Sequence, residues 1–145
     1  MKCNDFVLAV FASSNSATHS PIQIQKLFFL IEKKIPELLK YNYFKFKPYN
    51  YGPFDSEIYD VISELVGNGD LEIISYVNSR IIKYKTTEKG QKKGKQILQS
   101  LGEKATDKIK ILSEFVRKLT FSELVSVIYH EFPEFKVNSI FKDNL

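Results

Sequence analysis

Hydrophobic and polar positions fall into blocks whose period changes along the chain. Residues 4–12 carry Phe6, Val7, Val10 and Phe11 at helical spacing, and the polar run Ser13, Ser14, Asn15 and Ser16 ends the pattern. Ser20-Pro21-Ile22-Gln23 opens a second helix, because a Ser cap, Pro at the first helical position and Gln three residues after the cap suit the orphan amides there. Ile24, Leu27, Phe28 and Ile31 form its apolar stripe, and Pro36 breaks it. Residues 43–49 alternate, with Phe44 and Phe46 on one side and Tyr43, Lys45 and Lys47 on the other, which predicts a half-buried strand. Tyr49-Asn50-Tyr51-Gly52-Pro53 reads as the turn after it. A third helix, capped by Asp55 or Ser56, carries Ile58, Val61, Ile62 and Leu65 and stops at Gly67-Asn68-Gly69.

Residues 71–77 and 81–86 are β-rich and joined by Asn78-Ser79-Arg80, the pattern of a hairpin. Thr87 caps a helix with Gly90, Gly94, Ile97 and Leu101 on one side, where the two missing side chains allow close approach to another element. Ile109, Leu112, Phe115, Val116 and Leu119 mark a fifth helix. Thr120-Phe121-Ser122-Glu123 is a capping box that starts a sixth, with Leu124, Val125 and Ile128 facing inward and Phe132-Pro133 ending it. The expected fold is α+β: a helix-rich, winged-helix-like domain with a small antiparallel sheet and additional C-terminal helices. Residues 1–102 form its winged-helix-like core and residues 103–145 a C-terminal helical extension packed on the same domain. One departure stands out. The usual winged helix has a short strand before two consecutive helices, whereas the strand expected at residues 43–49 precedes only one.

Composition narrows the chemistry. A chain of 145 residues, 43% of them apolar and including 12 Phe and 8 Tyr, has enough material for a core without a disulfide or metal. The single Cys3 and two histidines cannot assemble a zinc site. No apolar run approaches the ~18–20 residues that span a bilayer, and no cleavable signal pattern is present, so a cytoplasmic protein with no membrane partner is expected. Ser13, Ser14 and Ser16 lack a glycine-flanked nucleophile elbow, and the glycines form no phosphate-cradling loop. No catalytic role, cofactor or metal is expected, and His19 and His130 read as surface or capping residues.

Three segments carry a family resemblance: Gln25-Lys26-Leu27-Phe28-Phe29-Leu30, then Phe44-Lys45-Phe46-Lys47-Pro48-Tyr49-Asn50-Tyr51-Gly52-Pro53-Phe54, and Thr87-Glu88-Lys89-Gly90. In these the chain resembles the YwgA-like proteins and, more remotely, the Panacea (SocA-like antitoxin) domain. Phe132-Pro133-Glu134-Phe135 and Asn138-Ser139 also look like the closing segment of the YwgA-like group. The resemblance implies a mostly helical winged-helix module used in antitoxin, mobile-element or phage-defence settings, with no established catalytic residues to carry over.

Charge is distributed unevenly. The formal net charge is +4, yet residues 80–95 hold seven basic residues against Glu88, while residues 48–79 hold six acids and no Lys or Arg. Arg80, Lys83 and Lys85 on the hairpin, with Lys89, Lys92 and Lys93 on the helix after it, are the candidate nucleic-acid-binding set, since phosphate neutralisation needs such a cluster. Cations in a first helical turn oppose the macrodipole, so local helix stability does not account for them. The third helix, where a recognition helix would lie, presents Glu57, Asp60 and Glu64, and carboxylates repel phosphate. Asp60 and Glu64, with Tyr49 and Tyr51 of the aromatic Gly-Pro loop, are therefore the candidate partner-binding residues. The leading expectation is a non-catalytic module of antitoxin or defence type that binds a protein: a toxin, an effector or a complex subunit, with a homodimer as a further candidate. DNA or RNA binding through the basic wing is the alternative, and a metal-dependent nuclease using Asp60 and Glu64 ranks third.

Overall fold

The structure, a computed structural model, describes residues 1–142. Its elements are α1 (Cys3–Ala12), α2 (Pro21–Lys34), a 3₁₀ turn (Pro36–Tyr41), β1 (Lys47–Tyr49), β2 (Gly52–Phe54) and α3 (Glu57–Gly67). They continue with β3 (Leu71–Ser75), β4 (Ile82–Thr86), α4 (Glu88–Leu101), α5 (Glu103–Lys118), α6 (Phe121–Glu131) and a second 3₁₀ turn (Pro133–Lys136). The fold is α+β and helix-rich, with antiparallel strands only.

Two helices form the centre. In α1 every residue from Phe6 to Ala12 is buried, and in α2 every residue from Ile24 to Ile31, so neither is the one-sided helix that its stripe suggested. A helix apolar all round belongs inside a domain. The capping box of α2 forms as expected, with the Gln23 amide donating to the Ser20 hydroxyl and the Ser20 amide donating to the Gln23 side chain. α4 crosses α1 closely. A Cβ at Gly94 would collide with the Ala12 methyl, and one at Gly90 would overlap the Asp70 carbonyl oxygen, so both glycines are required by contact. Ile109 and Val116 of α5 and Leu124 and Ile128 of α6 join the same apolar cluster as α1 and α2. The C-terminal extension expected from residue 103 thus shares the main core; its last three residues lie outside the described residues.

The strands differ from expectation in three ways. The alternation over residues 43–49 marks a strand only at β1; residues 43–46 belong to no strand or helix. Their period comes from one covered face, where Phe44 meets Phe28 edge-on at 5.7 Å and Phe46 meets Phe29 at 5.5 Å. The segment expected to be a plain turn is instead a second hairpin, in which β1 pairs with β2 around Asn50 and Tyr51, with Gly52 at φ +109°. Finally, the expected single sheet is two separate ribbons, β1-β2 and β3-β4, and the loop of the latter covers residues 76–81 rather than three residues.

A single bridge resolves the departure from winged-helix order. His19 exchanges backbone hydrogen bonds with Tyr84 of β4, at 3.0 and 2.9 Å. An extended residue ahead of both α2 and α3 therefore leans on the wing, and the β1-β2 hairpin is an insertion between those helices. His19 is consequently core, not surface. It is 1% exposed, with Nε2 3.0 Å from the Ser113 hydroxyl and its ring edge-on to Phe11.

Candidate binding site

The two longer segments of the family resemblance meet although 27 positions separate Lys26 from Pro53. Gln25 and Lys26 lie side by side on α2 and are both buried, an unusual place for an ammonium. The Gln25 side chain acts as a piece of β-strand, donating to the Asp55 carbonyl at 2.9 Å and accepting from the Asp55 amide at 3.0 Å. Lys26 Nζ donates to the Pro53 carbonyl at 3.1 Å. Asp55 in turn caps α3: its carboxylate accepts the amides of Glu57 at 2.9 Å and Lys45 at 2.7 Å. The hairpin is thereby held against α2 and α3 from both ends.

Between these elements lies a cavity of about 310 Å³, lined by Ile22, Lys26, Tyr49, Tyr51, Phe54 and Tyr59 among others. Tyr49 and Tyr51 stand at the turn, 44% and 39% exposed, and rest edge-on against Phe54 and Phe121 respectively. Gly52 is forced by two conditions, its positive φ and the closeness of Lys26: a Cβ there would lie 3.4 Å from Nζ and 3.3 Å from the Tyr129 ring. Burial alone pulls the Lys26 ammonium down to about 7, and no charged neighbour contributes. Lys26 is 2% exposed and, among the described residues, has one acceptor for its three potential donors. Nothing in the one-dimensional pattern marks this residue as buried; only its place in the Gln25-Lys26 motif singled it out.

Asp60 and Glu64 do not line that cavity. Both are exposed on α3, and Glu64 accepts a hydrogen bond from the Asn4 side chain at 2.6 Å. Among the described residues no three His, Cys, Asp or Glu side chains come together as a metal cage. The four expected partner-binding residues are therefore two pairs, with only the tyrosines built into a concavity.

The basic set is changed more. Asp70 follows the Schellman motif that ends α3, in which the Gly69 amide donates to Val66 and the Asp70 amide to Leu65, with Gly69 at φ +78°. Its carboxylate is 1% exposed and lies 3.7 Å from both Lys89 Nζ and Lys93 Nζ. Lys89 also donates to the Asn68 carbonyl at 2.6 Å. Lys85 pairs with Glu72 at 3.4 Å, directly across the β3-β4 ribbon. The acidic and basic segments are thus cross-linked at three points, which gives the lysines at the start of α4 a tertiary role beside the local helix stability that does not account for them. Lys89 and Lys93 neutralise a buried carboxylate. Arg80, Lys83 and Lys92 have no carboxylate within ion-pair distance among the described residues. Lys83 instead lies over the Tyr76 ring.

Among the described residues no helix is long and apolar enough to cross a membrane. In comparison with known proteins, no family model and no curated sequence matches this chain.

Proposed function

We propose that the protein is a non-catalytic binding module that engages a protein partner through the β1-β2 hairpin. The observation that carries this reading is the convergence of two distant motifs on one aromatic cavity whose rim is two half-exposed tyrosines. A small hairpin inserted between α2 and α3, pinned by Gln25, Lys26 and Asp55, holds Tyr49 and Tyr51 outward at low conformational cost. Rigid aromatic anchors beside a concavity are the usual centre of a protein interface. The antitoxin or defence setting rests on the resemblance to the YwgA-like and Panacea groups. The test is an affinity capture with the wild-type chain and with Tyr49→Ala/Tyr51→Ala. A protein held by the first and lost by the second, with cooperative melting kept in both, is the expected result; equal retention removes the hairpin from the interface.

A second reading, nucleic-acid binding by the wing, is favoured by Arg80, Lys83 and Lys92, which have no carboxylate partner among the described residues. Its strength is limited by the pairing of Lys85, Lys89 and Lys93, and the salt dependence of binding tests it.

A further inference from the structure

The hairpin cavity holds a feature that a partner-binding surface alone does not call for. An ammonium taken out of water and given one carbonyl is a costly way to fill space, since a methionine of similar length would pack there without desolvation. Among the described residues Lys26 keeps two donors without an acceptor while lining a cavity of about 310 Å³ whose other walls are mostly aromatic and aliphatic, with Gln25 and Asn50 as the uncharged polar members. A carboxylate is the group that such a position lacks: it supplies the counter-charge and accepts both remaining protons. The cavity is at the lower end of the ~300–1,000 Å³ range of ligand pockets, so it suits one residue-sized group. Tyr49 and Tyr51 line it and also carry surface outside it, which gives contact to a chain that continues out of the mouth.

We propose that this cavity receives the C-terminal residue of a partner chain, with the terminal carboxylate on Lys26 Nζ and an apolar side chain against Phe54, Tyr59 and Ile22. The proposal rests on the partner reading above and names the chemistry of what the hairpin binds. Capture of a C-terminal carboxylate is a recurring mode of peptide recognition, and a fixed cation supplies the charge-assisted hydrogen bond that it requires. Specificity follows from the physics of the site. An internal segment has no terminal carboxylate, and an amidated terminus leaves the ammonium uncompensated.

The experiment titrates the full chain with three tetrapeptides ending in Phe, Leu or Val, each as the free acid and as the C-terminal amide, followed by calorimetry and by amide chemical shifts of residues 49–54. At least one free acid is expected to bind at least tenfold more tightly than its amide, and Lys26→Met is expected to remove that difference while melting cooperatively. Binding of acid and amide alike, an unchanged preference in Lys26→Met, or no binding by any of the three overturns the carboxylate site. 3-Phenylpropionate is expected to bind more weakly than the best peptide; equal affinity would assign the cavity to a small free acid and overturn the chain-terminus proposal. The two readings fail separately. If Tyr49→Ala/Tyr51→Ala loses a protein partner but peptides show no acid preference, the hairpin interface stands without the carboxylate. If peptide acids bind and those substitutions release no partner, the carboxylate site stands without the interface.

Discussion

Lysines serve opposite purposes at two places in this molecule. Around α4, Lys89 and Lys93 are exposed and their counter-ion, Asp70, is buried. Under the β1-β2 hairpin the cation itself, Lys26, is buried and no counter-ion lies within ion-pair distance among the described residues. In the first arrangement two mobile ammonium groups at the surface offset one carboxylate that the turn after α3 has carried inside, although Asp70 Oδ1 has no hydrogen-bond partner among the described residues. In the second, one backbone carbonyl faces a buried ammonium. A cation that offsets a buried carboxylate has a role in the fold, whereas a desolvated cation either sheds its proton or takes up a counter-charge, and that contrast is what the proposed carboxylate site builds on.

The largest way to sharpen the contrast is pH. Lys26 falls from 10.5 in the unfolded chain to about 7 when folded, so the unfolded state binds more protons between those values. Its destabilising contribution is therefore fully present below pH 7 and is relieved as pH rises toward 10.5. The linkage amounts to about 5 kcal/mol over that window. Lys26→Met is expected to be more stable than wild type at pH 6, by about 3 kcal/mol after loss of the bond to Pro53, with the gap closing above pH 10. Urea melts of both proteins across pH 6–10 check this, and the difference cancels the tyrosines, such as Tyr59 and Tyr84, whose hydroxyl pKa values burial raises. A gap that is flat with pH would mean that Lys26 keeps an ordinary ammonium.

His19 supplies an acid counterpart of similar size. Burial, then the nearby Arg117 guanidinium, holds the ring down at about 3, against 6.5 unfolded. Folding requires the neutral imidazole, so stability is whole above pH 6.5 and is lost as pH falls toward 3. His19→Gln keeps a partner for Ser113 and is expected to flatten that acid limb. Wild-type and variant melts showing the same slope between pH 6.5 and 4 would assign acid sensitivity to the carboxylates instead.

A smaller effect tests the compensated cluster. Lys89→Ala/Lys93→Ala leaves the Asp70 carboxylate buried with neither cation near it and is expected to destabilise the fold by about 2 kcal/mol at pH 7. That is below the full cost of breaking a buried pair because both lysines are largely solvated. Adding Asp70→Asn is expected to restore most of the loss. Failure of the triple variant to recover would mean that the lysines act through something besides Asp70, such as the Lys89 bond to the Asn68 carbonyl.

Local signals were legible in the sequence where the physics is local. The capping boxes at Ser20 and Thr120, the Schellman stop at Gly69 and the contact glycines of α4 each follow from a few adjacent residues, and each forms. Pairing across distance was not. Alternation over residues 43–49 records a covered face, which an irregular segment can share with a strand, and a two-residue hairpin at Asn50 and Tyr51 lacks the Asn-Gly signature that usually announces one. The site was half legible: Tyr49 and Tyr51 stood out as aromatics in a loop. Lys26 did not, because a lysine on an apolar helix normally extends its ammonium to water, and only the fold shows that Pro53 and Gly52 close over it.

The smallest expected effect concerns whether the wing has any positive field left for phosphates. If only Arg80, Lys83 and Lys92 are free to neutralise phosphate, binding to a labelled DNA duplex should weaken with salt at a log–log slope of about −3, where all six basic residues would give about −5. Lys92→Glu, on the exposed face of α4 and without a carboxylate partner among the described residues, is expected to shallow the slope by about one and to leave the melting temperature unchanged. Lys93→Glu is expected to lower the melting temperature, because it places a carboxylate where Asp70 needs a cation. A slope near zero for the wild-type chain would make the whole basic segment the counterweight of the acidic one, and would leave the hairpin cavity as the place where this protein meets another molecule.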